Sequence, residues 1–557
     1  MKEGFRQSMA WLHTWSGLLV GWVLFMVFAA GTASYFKDEI TLWMKPELHG
    51  LSRTPVPQVQ ATEGAYAYLQ QHAADSPRWF ITLPTEREPS TSLFWTRPAP
   101  PAGSPPRDRR DRFGRAVLDA ASGQPSAAVR ETRGGEFFYR LHFDLHYMPA
   151  IWGRWIVGFC AMFMLVAILS GIVTHKRIFK DFFTFRPKKG QRSWLDAHNA
   201  TAVLALPYHA MITYTGLVTL MFMYMPWGPQ VAYKDSGGTQ TFFSEAFAGG
   251  VREQFKAAGQ KAPMAPVAPM LAQASAHWGG APVGRLTVNS PNDANATVIV
   301  RRAEGPQLGS EQPSMVFNGV TGALIGAYGD SMRPAVETRS VLYGLHIGRF
   351  GDPLLRALFF VSGLAGCLMV ATGLLLWAVK ERQKFAKRLK QGGRVSFGLR
   401  LVDGLNLGAI AGLPLAMAAL FWANRLVPFD TADRGAAEIG WFFAVWGAAA
   451  LLGLARPTLR MWQAQLAAGA LLFALLPMLN AFTGPAPLTV SLRSGPSAVA
   501  GFDLVSIALG LGLAGAAWMV ERKRRKALST SAKKAAKADP ADDAADSPAL
   551  ATSGQGS

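Results

Sequence analysis

Residues Trp194–Trp227 read WLDAHNATAVLALPYHAMITYTGLVTLMFMYMPW. From Thr201 to Met225 the stretch is apolar and long enough to cross a bilayer as a helix. It nevertheless carries two histidines, His198 at its start and His209 inside it. Eleven helical residues turn through about 1,100°, nearly three whole turns, so both imidazoles are expected on one face, roughly 16 Å apart. An imidazole in a lipid-spanning helix is costly without a partner and so points to function. A bond to a neighbouring helix would account for one such residue. Two on one face, with more histidines nearby, favour stacked cofactors.

Composition sets the class. Half of the 557 residues are hydrophobic, and only 17% are charged, against about a quarter in an ordinary globular chain. This is the profile of an integral membrane protein with soluble insertions, surrounded by membrane lipid. A net charge of +20 would suit nucleic acid in a soluble chain. Here the basic residues crowd into short segments between apolar spans, the positive-inside pattern, and no nucleic-acid partner is expected. The two cysteines, Cys160 and Cys367, lie inside apolar runs. That excludes a disulfide framework, a CxxCH haem-attachment site and an iron–sulfur cluster.

Outward from the opening stretch, about eight transmembrane helices are expected. The first lies within 1–36 and is retained, since no small-residue cleavage site follows MKEGFRQ. A periplasmic segment follows over 37–148, then helices two and three within 149–227, a second periplasmic segment over 228–345, and helix four over 346–380. A basic cytoplasmic loop (381–400), helices five to eight (401–520) and a disordered cytoplasmic tail (521–557) complete the chain. The connection HKRIFKDFFTFRPKKGQR after helix two holds seven Lys/Arg, which places it in the cytoplasm and, with eight spans, both termini there too. Each polar segment reads as a helix (Ala61–His72, Val267–His277) followed by strands and a glycine turn. The fold class is thus an all-α polytopic membrane protein with two α+β periplasmic domains.

The first four spans look like one unit used twice. Gly31 follows His13 by eighteen residues, and Gly216 follows His198 by eighteen. YRLH (Tyr139–His142) introduces helix two and YGLH (Tyr343–His346) introduces helix four; Gly171 and Gly373 then correspond. Parallel copies of this kind are related by an axis along the membrane normal. Such an axis sets His13 opposite His198 and His142 opposite His346.

Seven of the ten histidines lie in or beside these four helices: His13, His142, His146, His175, His198, His209 and His346. A transition-metal transporter would add carboxylates or thiols at mid-membrane, and these spans offer almost none. Bis-imidazole b-type haem needs only neutral histidines on facing helices, with small residues where the macrocycle meets backbone. Gly17, Gly21, Gly31, Gly171, Gly216, Gly363, Gly366 and Gly373 could supply that room, although Gly17 and Gly21 also form a helix-packing GxxxG. Two haems are expected in two tiers. The lower would draw on His13, His198 and His175, the upper on His209, His142, His146 and His346, and the pairing stays open. GLGLAG at Gly510–Gly515 lacks a preceding strand and is no nucleotide site.

WLHTWSGLLVGW, YRLHFDLH, SGIVTHKRIFKDFFTFRP, DAHNATAVLALPYH and LHIGRFGD together resemble the PepSY-associated transmembrane family over roughly residues 5–380. The resemblance is nearest to bacterial inner-membrane ferric-siderophore reductases of the FoxB/PiuB type. It implies PepSY-like polar domains, haem iron held through His198, His209, His13 and His346, and one-electron reduction of a ferric siderophore in the periplasm. Electrons would come from quinol or a cytoplasmic flavoprotein. A haem-free peptide-binding scaffold, and a conduit to another periplasmic acceptor, are the alternatives.

Overall fold

The computed structural model describes residues 3–538, except 52–54, 86, 101–111, 127, 176–185, 187–188, 248–255, 387–390 and 395. Most of the basic connection after residue 175, part of the 381–400 loop, much of the Arg-rich loop near 107–115 and the end of the tail fall outside the described residues.

The chain begins with α1 (Glu3–Ser34) and the short α2 (Lys37–Trp43). The first polar segment holds α3 (Gln58–His72), β1 (Arg78–Thr82), β2 (Ser90–Thr96) and β3 (Phe113–Asp119). Next come α4 (Gly134–Asp144) and α5 (Ala150–Thr174), then α6 (Gln191–Leu204) and α7 (Leu206–Thr219). The second polar segment holds α8 (Val267–His277), β4 (Val283–Asn289), β5 (Thr297–Arg302), β6 (Ser314–Asn318) and β7 (Leu324–Tyr328). It ends in α9 (Pro334–Ile347) and the long α10 (Pro353–Lys384).

Among the described residues seven helices are long and apolar enough to cross a membrane, and an eighth span appears if α6 and α7 are taken together. The protein is a multi-pass membrane protein. The one straight helix expected over Thr201–Met225 is not formed: α6 and α7 meet at Ala205 at 67°. Pro207 is the cause, because it has no N–H for the Val203 carbonyl and its ring would collide with that carbonyl in a straight helix. His198 and His209 therefore do not share one helical face.

The two polar segments form a single seven-stranded antiparallel sheet of order β3-β2-β1-β4-β5-β6-β7. Pairing of β1 with β4, Trp79 opposite Val288 and Ile81 opposite Leu286, joins them. Alternation along each strand turns one face inward. Trp79, Ile81, Leu286, Val288, Val298 and Val300 are buried there beneath Ala65 and Leu69 of α3 and Met270 and Ala274 of α8. Each segment contributes one helix and a run of strands, so the duplication shows in the sheet as well.

Four further spans follow: Phe397–Leu426, Arg434–Ala455, Leu459–Thr483 and Ser497–Thr530. The first is interrupted by a π-helical turn at Gly408–Gly412. These spans are tied to α2 and the first polar segment by buried polar groups. Glu438 accepts from Arg434, from Thr132 at 2.5 Å and from Asn424 at 2.9 Å. Asp503 accepts from the Trp43 indole at 2.8 Å, and Arg425 donates to the Trp43 carbonyl while lying 4.2 Å from that ring's centroid. In a membrane such bonds hold helices together that apolar contact alone does not select.

Candidate functional site

The seven histidines do not gather in one place. The structure brings four of them into two pairs. The His13 and His198 rings stand 6.1 Å apart between centroids, and those of His142 and His346 stand 6.0 Å apart. His13 and Val27, the α1 residue that meets His142, are separated by fourteen residues of helix, so the two levels lie on the order of 20 Å apart along α1. The pair near the sheet is the outer one below, and that of His13 and His198 the inner.

Each of the four imidazoles is seated in the same way. His13 Nδ1 lies 2.8 Å from the Ala167 carbonyl, His198 Nδ1 2.9 Å from that of Met369, and His142 Nδ1 2.7 Å from that of Val27. His346 Nδ1 lies 3.1 Å from Thr215 Oγ1, with the Ile212 carbonyl beside it. Four residues beyond each of these carbonyls stands a glycine: Gly171, Gly373, Gly31 and Gly216. A Cβ built on those glycines would meet the histidine ring at 3.1, 3.1, 2.7 and 2.9 Å respectively. A helical side chain leans over the turn N-terminal to its own Cα, where it covers the carbonyl four residues back. Glycine leaves that carbonyl open to the ring.

This seating settles the tautomer. A carbonyl only accepts, so Nδ1 carries the proton and Nε2 keeps its lone pair. Thr215 Oγ1 donates to the Met211 carbonyl at 2.7 Å, and having one proton it must accept from His346. Four imidazoles thus present Nε2, the nitrogen a metal would use, each oriented by an outer hydrogen bond of the kind metal-ligating histidines use. Among the described residues no three His, Cys, Asp or Glu side chains converge on a metal site, so each pair offers two donors and no more.

A cavity of about 400 Å³ surrounds the outer pair. Its inner wall is apolar, from Leu24, Val27, Phe28, Val157, Met164 and Ile212, and its mouth carries Lys37, Arg87, Arg154, Arg349, Asp38 and Glu304. Tyr139 and Tyr343, one turn before His142 and His346, meet hydroxyl to hydroxyl at 3.3 Å across this mouth.

The remaining three histidines stand elsewhere. His146 stacks on Phe443 at 5.3 Å and His175 Nε2 lies 3.0 Å from the Asn199 amide nitrogen; neither faces a second imidazole. His209 is fully buried, edge-on to Phe28 at 5.9 Å, with the Ser362 and Ala202 carbonyls beside its ring and no second imidazole facing it. It lies seven residues before Gly216 on α7 and against Gly366, seven residues before Gly373 on α10. That puts it about 10 Å from the level of each pair. Of the eight glycines singled out by sequence, four cradle the paired histidines. Gly363 packs on Thr32, Gly366 on Phe28 and Gly21 on Leu374, while Gly17 has nothing within 4 Å. The paired tyrosines were not foreseen as site residues, although the repeated Tyr-x-x-His was there to be read.

A family model described as the PepSY-associated TM region matches residues 10–380. An uncharacterized protein of Pseudomonas aeruginosa is 26% identical over 391 residues, covering 66% of this chain and 91% of that protein. The matched region holds both histidine pairs, their glycine cradles and the whole sheet, and leaves out the last four spans. The chain belongs to the PepSY-associated transmembrane family.

Proposed function

We propose that this protein is a haem-b-bearing reductase of the bacterial inner membrane. It would carry electrons across the bilayer, reduce ferric siderophores on the face bearing the sheet and release ferrous iron. In this reading the sheet is periplasmic, both termini are cytoplasmic, and electrons arrive from quinol or a cytoplasmic flavoprotein.

One observation carries the proposal: two pairs of imidazoles on separate helices, one pair at each of two levels. Each pair would hold one metal through its two Nε2 atoms, from rings whose centroids stand 6.1 and 6.0 Å apart. Two donors suit a metal whose remaining positions come from a macrocycle, and the apolar cavity around the outer pair suits a porphyrin body. When bound, haem supplies a one-electron carrier that neither imidazole nor tyrosine could replace.

The chain's own contribution is positional. His13 and His198 would hold the inner group, and His142 and His346 the outer one. The four outer hydrogen bonds fix which nitrogen each ring presents and hold the ring planes. Phe28 and the apolar wall exclude water from the outer pair, and the charged mouth meets the ferric chelate. Ferrous iron binds siderophores weakly, so reduction frees it.

The test is spectroscopic. Protein purified in detergent should show a Soret band that shifts on dithionite reduction, and should oxidise again on adding a ferric siderophore as ferrous iron appears in a chelator trap. Folded, haem-supplied protein without a Soret band would overturn the proposal.

A further inference from the structure

The outer cavity is polarised along its length, apolar at depth and charged at the mouth, where four cations outnumber two carboxylates. Four donors from three separate stretches of chain meet at that mouth. Lys37, on α2, holds its ammonium 5.2 Å from the Tyr139 ring centroid. Tyr139 and Tyr343 hydrogen-bond to one another one turn before the paired histidines. Arg349, just beyond α9, lies close enough to both phenols to act on them electrostatically. Burial pushes the Tyr139 phenol well above its usual value, so it remains a donor.

The cations are not locked into their present bonds. Lys37 pairs with Glu136 at 3.1 Å and Arg349 with Glu304 at 2.5 Å. Both carboxylates are about half exposed, at 45% and 52%, so each can turn to water and yield its place at little cost. Lysine, arginine and two phenols around one opening form a recognition surface for carboxylate, and charge-assisted bonds of this kind are the strong ones. A porphyrin of the b type has one apolar edge and one edge bearing two carboxylates. Seating its apolar edge against Val27 and Met164 puts its carboxylates at the mouth.

We propose that Lys37, Arg349, Tyr139 and Tyr343 form a carboxylate clamp that holds the propionate edge of the macrocycle seated between His142 and His346. The clamp rests on the reading of that pair as haem ligands. It makes the duplicated Tyr-x-x-His a two-part device: the histidine binds the metal and the tyrosine binds the rim.

Protein made in a haem-starved host and reconstituted with iron protoporphyrin IX, or with its dimethyl ester, tests this through Soret absorbance. Wild type should bind two haems per chain and take the diester at least about tenfold more weakly at one site, the scale of a lost bond to a charged group. Lys37→Met/Arg349→Met should bring the two porphyrins to near equality at that site. Tyr139→Phe/Tyr343→Phe, which keeps both rings, should do so in part. The inner site should stay full in both variants and report an intact fold. Equal wild-type affinity for the two porphyrins, or full discrimination in both variants, overturns the clamp. A ferric chelate with free carboxylates shares the chemistry. If the variants keep full haem discrimination while KM rises for ferric citrate and not for a ferric trihydroxamate, the cluster serves substrate and the propionate assignment falls. Folded wild type that binds neither porphyrin overturns the haem reading itself, which differs from equal binding of both.

Discussion

The imidazoles of His13, near the start of α1, and His198, on α6, face each other at 6.1 Å between centroids. Each donates Nδ1–H to a carbonyl on a different long helix, Ala167 on α5 for one and Met369 on α10 for the other. Four helices are thereby committed to one pair of nitrogens. The pair of His142 and His346 repeats the arrangement at the other level.

Loss of either member of a pair should have the same effect. His13→Ala and His198→Ala should each leave one haem per chain, with the same surviving spectrum and midpoint potential. His142→Ala and His346→Ala should leave the other. If the two groups form the proposed serial relay, electron transfer to a ferric chelate should stop in all four. If two variants of one pair retained different haems, the pairing would be wrong.

The glycine cradles predict a graded series. A Cβ at Gly31 would stand 2.7 Å from the His142 ring, whereas one at Gly17 meets nothing within 4 Å. Gly31→Ala should displace the ring, costing about 1–3 kcal/mol as overpacking does, and lower outer-haem occupancy. Gly171→Ala, at 3.1 Å from His13, should be milder and act on the inner haem. Gly17→Ala is the control. Full occupancy with an unshifted Soret band in Gly31→Ala would count against the seating described here.

His209 makes the opposite prediction from its neighbours. It is buried against Phe28, beside the Ser362 and Ala202 carbonyls, and faces no second imidazole. His209→Leu should keep two haems per chain. A haem lost in that variant, in folded protein, would restore His209 to the ligand set.

Breaking the buried ionic cluster should be far more costly. Glu438 and Arg434 are each almost wholly buried and bonded to one another. Removing one partner leaves the other charge uncompensated, at about 3–5 kcal/mol. Glu438→Ala should therefore sharply lower the thermal unfolding temperature in detergent and loosen the last four spans from the first polar segment, as read by protease sensitivity near Thr132. A stability change within error would show that the cluster does not hold these parts together.

Sidedness follows from the sheet. Since β1 pairs with β4, residues 60–85 and 260–330 must lie on one side of the membrane. Accessibility probes at both should agree, and the proposed orientation requires that side to be the periplasm. Probes scoring on opposite sides would break the sheet.

The spans, the two polar segments and their duplication were legible in the sequence because hydropathy and spacing are local properties. Thr201 to Met225 is apolar whatever it packs against, and the interval from His13 to Gly31 recurs from His198 to Gly216. The bend at Ala205 was also written there, in Pro207, but a long apolar run reads as one helix until the missing N–H is weighed. What the chain alone left open was which of seven histidines meet. That depends on how helices rotate about their axes and which carbonyls a glycine uncovers on the neighbour. His146, His175 and His209 have the same side chain as the four that pair, and only the tertiary structure sets them against Phe443, Asn199 and Phe28 instead. The union of the two polar segments through Trp79 and Val288 was equally out of reach, since strand pairing between remote segments leaves no periodic trace in either one.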